Sequence, residues 1–158
     1  IVILLSTNPQ HWLRLKRIVR FGETDAAGVI HFHNLLRWCH EAWEESLERY
    51  GLHSSDVFPN GIQEEKILEV GMPIVHCKAD FRLPIQTGDQ LEISLLPEKI
   101  GIDSFQVQSN FQRDGENVAL GLIRHLSINI QTRQRCELPK DIDRWLEASS
   151  LNSGPRSI

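Results

Sequence analysis

Between Asn34 and Gly51 the chain carries one amphipathic helix, and the segments C-terminal to it run at a period of two. That contrast limits the fold more than any other feature. Leu35, Cys39, Ala42, Trp43, Leu47 and Tyr50 recur at helical spacing and form a single apolar stripe. Arg37, His40, Glu41, Glu44, Glu45, Glu48 and Arg49 fall elsewhere on the wheel. Asn34 is a good N-cap, because its side chain can accept a bond from a free backbone N–H. Gly51 suits the left-handed position that ends a helix. Further on, Val75, Cys77, Ala79, Phe81 and Leu83 alternate with polar neighbours. So do Leu91, Ile93 and Leu95, and then Phe105, Val107, Ser109 and Phe111. Val118, Leu120, Leu122, Leu126, Ile128 and Ile130 predict one long strand, interrupted by Arg124. Thr87-Gly88-Asp89 and Asp114-Gly115 are turn signals, the second a strong hairpin signal. Short turns imply antiparallel neighbours, since parallel strands need long crossovers. Upstream, Leu13, Leu15, Val19 and Phe21 predict a strand over 13–21, with Arg17 and Ile18 breaking its alternation. A short helix after Pro139 would bury Ile142, Trp145 and Leu146. A helix with one apolar stripe must cover one sheet face, so the expected fold class is α+β: one long helix packed on an antiparallel sheet.

The 158 residues suffice for one domain, expected over 13–148, with tails at 1–12 and 149–158 and an irregular stretch over 52–66. A chain of this size needs neither a disulfide nor a metal to fold. Its net charge of −4 argues against nucleic acid as a partner, because phosphate binding needs a basic face. The longest clean apolar run, Ile1 to Leu5, is far short of the roughly 20 residues of a membrane helix, so no membrane partner is expected. It also lacks a signal peptide's basic flank and cleavage site. Cys39, Cys77 and Cys136 are odd in number and widely spaced, which reads as reduced thiols in a cytoplasmic protein. A lone sheet leaves an exposed edge, and pairing two copies edge to edge would hide it.

One stretch looks chemical: Phe21 to Asn34, FGETDAAGVIHFHN. Glu23 and Asp25 stand in a small-residue loop just before the helix. Ala26, Ala27 and Gly28 let another molecule approach the backbone. The first turn of a helix has unpaired N–H groups and a partial positive charge, which suit an oxygen that becomes negative during reaction. A carboxylate beside such amides can attack an acyl carbon or activate water. The plainer reading is that Asp25 closes an Asx-type turn and Glu23 is solvated.

This stretch resembles the signature of the hotdog-fold acyl-CoA thioesterases, in particular the 4-hydroxybenzoyl-CoA thioesterase-like group. Pro73 to Phe81, PIVHCKADF, resembles the strand after the helix in that group. The resemblance covers roughly residues 14–131 and implies a hotdog fold, in which a curved antiparallel sheet wraps one long helix. Carried over by position, Asp25 is the catalytic carboxylate. The backbone N–H of Phe32, helped by that of His31, faces the thioester oxygen. Gly71 lies in a segment that approaches the acyl group from across a dimer. His33 is a further candidate substrate contact, although it stands where a 4-hydroxybenzoyl enzyme has Pro and inherits no role. Phe32 replaces a His found in many short-chain members, as in enzymes acting on aromatic acyl groups. The helix text Cys39-His40-Glu41-Ala42-Trp43-Glu44 further resembles the 1,4-dihydroxy-2-naphthoyl-CoA thioesterases of the phylloquinone (vitamin K1) route. The resemblance therefore implies hydrolysis of an aromatic acyl-CoA by a homodimer or homotetramer with sites at its interface. CoA enters as part of the substrate and no separate cofactor is needed.

Coenzyme A carries phosphates, so Lys78, Arg82 and Arg124 are candidate contacts, against a plain reading as outer strand face. Arg124 lies on the face of the apolar residues of its strand, so it should be paired or that face should be wet. His31, His33 and His40 lack regular ligand spacing, and no metal site is expected. Glu41 is a second candidate carboxylate, because one other hotdog branch uses a Glu on this helix. Trp38 and Trp43 read as core or interface.

Overall fold

The computed structural model describes residues 8–58 and 68–150. Most of the irregular 52–66 stretch and the outer parts of both expected tails lie outside them. In chain order the elements are α1 (Gln10–Leu13), β1 (Arg14–Ile18), a 3-10 turn (Phe21–Glu23), α2 (His33–Tyr50), α3 (Ser54–Val57), β2 (Val70–Gly71), β3 (Ile74–Phe81), β4 (Gln90–Gly101), β5 (Ser104–Arg113), β6 (Glu116–Leu126), β7 (Ile128–Asn129) and α4 (Lys140–Ser150). Five strands form one antiparallel sheet in the order β1-β4-β5-β6-β3, and β2 pairs with β7 apart from it.

The long helix packs on one face of that sheet, as its stripe requires. Leu35, Trp38, Cys39, Ala42, Trp43 and Leu47 are buried, and the rings of Trp38 and Trp43 meet Phe111 and Phe105 of β5. Gly51 ends the helix with φ 114°, and its N–H returns to Leu47 and Glu48 carbonyls. Asp114 and Gly115 both have positive φ in the β5–β6 turn, the primed geometry that suits twisted hairpins. In α4, Ile142, Trp145 and Leu146 are buried, with the Trp145 indole donating to Ser46 Oγ at 3.1 Å.

Several expectations change. The packed chain begins before Leu13: Trp12 is buried in the core and donates to Ser149 Oγ at 3.0 Å, which ties the start of the expected C-terminal tail to it. The first strand covers only Arg14–Ile18, because Leu13 closes a helical turn and Phe21 points to solvent. Asn34 is not the N-cap. It lies buried inside the first turn and donates from Nδ2 to the Glu23 carbonyl at 2.8 Å. On β6 Val118 is buried in the core as expected, and beyond the register shift beside it the core-facing residues are Ala119, Gly121, Ile123 and His125, opposite Phe111, Ser109, Val107 and Phe105. Leu120, Leu122 and Leu126 take the outer face, opposite Asn110, Gln108 and Ser104. Polar residues surround these leucines, and among them Arg124 donates to Gln106 at 3.0 and 3.3 Å. The strand stops at Leu126, and Ile128 belongs to β7.

Gly121 shows how closely helix and sheet approach. A Cβ on it would coincide with the Cys39 Sγ of α2. Gly121→Ala is therefore expected to destabilise the fold by about 1–3 kcal/mol through overpacking. Adding Cys39→Ala, which vacates that space, should restore most of the loss in a denaturant titration.

Candidate active site

The chemical stretch folds into a small loop tied at both ends. Thr24 and Ile30 form an antiparallel bridge. Within it, Asp25 N–H donates to Val29 O at 2.8 Å, and Gly28, at φ 79°, donates back to Asp25 O at 3.1 Å. Ile30 N–H anchors the loop to Ile85 O at 2.9 Å, just beyond β3. The small residues predicted to permit close approach are all exposed here.

Asp25 is itself exposed. Its Oδ1 accepts the Ala27 N–H at 2.8 Å, so the Asx-type turn exists, and no cation among the described residues pairs with it. It opens on a cavity of about 440 Å³ shared with Val29, His31, Phe32, Phe81 and Arg82, and floored by Leu83, Pro84 and Ile85. Phe32, one of its lining residues, is 67% exposed.

Glu23 contradicts the solvated reading. It is buried, and Oε2 accepts from Arg17 Nη2 at 2.6 Å, Arg37 Nη2 at 2.5 Å and the Trp38 indole at 2.6 Å. Oε1 accepts the Arg20 N–H at 2.8 Å. Burial alone would raise the pKa of this carboxyl, but the bonds from Arg20, Trp38 and Arg17 and the charge of Arg17 together lower it. The sequence held a signal for this: Arg17 breaks the strand pattern because it points inward to meet Glu23 and Glu41, with its guanidinium over the Trp38 ring.

The helix start carries unbonded N–H groups. Helical backbone begins at Phe32, and the Asn34 and Leu35 amides are taken by the carbonyls of His31 and Phe32. His31 N–H is donated to Glu23 O at 2.8 Å, which removes it from the expected oxyanion pair. Among the described residues the Phe32 and His33 amides carry no partner. The His33 ring turns away to meet His31, Nδ1 to Nδ1 at 2.5 Å, so one ring donates and the other accepts.

The remaining candidates divide. Arg82 borders the Asp25 cavity. Lys78 pairs with Leu122 on the outer face, away from it. Gly71 lies in a separate cavity of about 390 Å³ with His40, Trp43, Phe58 and Met72, so one chain does not bring it to Asp25. Glu41 is bound to Arg17 at 2.7 Å and borders a third cavity, with His40, Ile74 and Cys77. Among the described residues no group of three His, Cys, Asp or Glu is arranged to hold a metal, and no helix is long and apolar enough to cross a membrane.

An exposed carboxylate and the unbonded Phe32 amide thus border one cavity at the start of α2. Comparisons with known proteins give the family. A Prochlorococcus marinus protein named 1,4-dihydroxy-2-naphthoyl-CoA hydrolase is 60% identical over 153 residues, spanning 97% of this chain and 99% of the relative. One of Parasynechococcus marenigrum (strain WH8102) with the same name is 52% identical, spanning 92% and 95%. A crystal structure of a putative thioesterase from Prochlorococcus marinus str. MIT 9313 superposes with a TM-score of 0.88 at 60% identity, covering 90% of this chain and 99% of that one. A 1,4-dihydroxy-2-naphthoyl-CoA thioesterase from Synechocystis superposes at 0.76 with 25% identity, covering 85% and 94%. The family profile described as the thioesterase-like superfamily matches residues 19–146, and this chain belongs to that superfamily.

Proposed function

We propose that this chain hydrolyses 1,4-dihydroxy-2-naphthoyl-CoA to the free acid and CoA, a step of the phylloquinone (vitamin K1) route. The observation that carries the reaction is the Asp25 carboxylate, held by no cation among the described residues, on a cavity shared with Phe32, whose backbone amide is unbonded, as is that of the next residue, His33. The acyl group is supported by the 52–60% identical relatives that bear this name. The two amides take up the charge that develops on the thioester oxygen, helped by the helix dipole. Asp25 supplies the carboxylate, as general base toward water or as nucleophile. The C–S bond breaks and the sulfur leaves as CoA thiol. Arg82 on the cavity rim is the cation assigned to a CoA phosphate. Free thiols at Cys39, Cys77 and Cys136 suit a reducing compartment, and we place the protein in the cytoplasm.

Thiol release from a panel of naphthoyl, 4-hydroxybenzoyl, benzoyl and palmitoyl thioesters tests this reading. Marked preference for the dihydroxynaphthoyl ester is expected. Broad hydrolysis would demote the acyl assignment to a general acyl-CoA thioesterase, and binding without hydrolysis would make the chain a non-catalytic acyl-CoA module.

The same reading includes self-association. β3 is a free sheet edge that exposes Ile74, Val75 and Phe81, each about half accessible. Antiparallel pairing of two β3 strands opposes their ends. The Gly71–Ile74 end of one chain then approaches the Phe81–Ile85 end of the other, where the Asp25 cavity lies. Light scattering is expected to give the mass of two or four chains. A monomer at micromolar concentration would contradict the shared site.

A further inference from the structure

Behind the Asp25 loop sits a closed ring of four charges. Glu23 accepts from Arg17 and Arg37, and Glu41 accepts from Arg17 at 2.7 Å and lies 3.8 Å from Arg37. The ring joins three elements: β1 through Arg17, the loop through Glu23, and α2 through Arg37 and Glu41, one helical turn apart. Its members balance to zero net charge. Of the four, only the Glu23 side chain is almost wholly out of water, at 8% exposure. Two residues before Asp25, the Glu23 backbone carbonyl also takes the His31 N–H and the Asn34 amide. The first of these bonds leaves the free amides at Phe32 and His33 rather than one residue earlier. The second pins the first turn of α2 to the loop.

We propose that Glu23 is a positioning residue for the thioesterase reaction: its ion-paired carboxylate and its backbone carbonyl together hold the Asp25 carboxylate in register with the Phe32 and His33 amides. The inference rests on assigning the reaction to the Asp25 loop. Catalysis by positioning is sensitive to small displacements, and a shift of about 1 Å can cost on the order of 100-fold in rate. Such a loss falls on the chemical step, because the cavity walls that bind the thioester come mostly from Val29, Phe32 and Phe81–Ile85.

The test compares wild type with Glu23→Gln, which keeps the side-chain shape and removes its charge, and with Arg37→Gln, whose side chain is half exposed and whose loss threatens folding less. Naphthoyl thioester hydrolysis is followed as kcat and KM, per folded molecule, below the melting temperature of each variant. Glu23→Gln is expected to lower kcat by roughly 10- to 100-fold with KM within about threefold of wild type. Arg37→Gln should lower kcat several-fold with the same KM. A folded Glu23→Gln that turns over at the wild-type kcat overturns the inference, as does a rate loss that only tracks the folded fraction. If Glu23→Gln does not fold, a wild-type kcat in Arg37→Gln overturns it. A wild type that hydrolyses none of the thioesters removes the site assignment itself, a result distinct from failure of the Glu23 variant alone.

Discussion

Asp25→Asn is expected to lower turnover of the naphthoyl thioester by roughly 10²–10⁴-fold, equivalent to about 3–5 kcal/mol of lost transition-state stabilisation. The variant should fold normally. Asp25 is exposed, its one side-chain bond is the Oδ1 contact to Ala27 N–H, and an asparagine oxygen can accept that bond equally well. The loss is therefore chemical: an amide neither removes a proton from water nor attacks an acyl carbon. The other carboxylates nearby do not replace it. Glu23 is held by two arginines and an indole, and Glu41 is clamped by Arg17. Thiol-release kinetics on a variant with a wild-type melting curve check this, and undiminished turnover would sink the assignment. A single turnover in ¹⁸O-water then tests for the nucleophilic role. Label in Asp25 identifies a nucleophile whose mixed anhydride water opens at the Asp25 carboxyl carbon, whereas a general base never takes up label.

The second large effect concerns stability rather than rate. His125 is buried beneath α2, its ring stacked on Phe105 at 4.9 Å and tilted against Trp43 at 4.4 Å. Its Nδ1 donates to Met72 O at 3.0 Å. Burial pushes its pKa down from 6.5 to about 4; the Met72 bond opposes this and His40 adds to it. Above pH 6.5 the ring is neutral in folded and unfolded chains alike, and its protonation does not affect stability. As pH falls from 6.5 to about 4, the unfolded chain binds a proton that the folded chain refuses, so stability is lost across that window. The full loss from this group is about 3 kcal/mol. Denaturant titrations at pH 7.5 and 4.5, at one protein concentration, should show it. His125→Gln, which keeps a donor for Met72, should flatten most of that dependence. Equal losses in wild type and variant would place the effect on other groups.

The parts of this fold that were readable in sequence are those where periodicity and local chemistry act alone. The α2 stripe, its end at Gly51, the Asp114-Gly115 hairpin and the short α4 helix follow from side-chain spacing and turn chemistry. What misled was long-range pairing. On β6 the larger aliphatic residues suggested the even face as core, yet the helix approaches so closely that its contact face carries Ala119 and Gly121 instead, with Cys39 filling the space of a missing Cβ. Hydrophobic size marks burial, and close approach demands small residues, so the two signals ran opposite. Asn34 has the chemistry of a cap, but the Glu23 carbonyl claimed its amide. The loop motif and its resemblance single out Asp25, and the structure exposes that residue on a cavity. Which amides stay free was not legible, because that depends on His31 pairing backward across the loop to Glu23, a contact no local pattern encodes.

The central claim is that a thioester sits with its carbonyl at the start of α2 and its carbon beside Asp25. A crystal structure with a non-hydrolysable dihydroxynaphthoyl-CoA analogue tests it most directly. The account predicts the analogue's carbonyl oxygen at hydrogen-bond distance, roughly 2.7–3.1 Å, from the Phe32 or His33 backbone nitrogen, with the Asp25 carboxylate facing the carbonyl carbon. An acyl group lodged in another cavity, its carbonyl away from these amides and from Asp25, would contradict it.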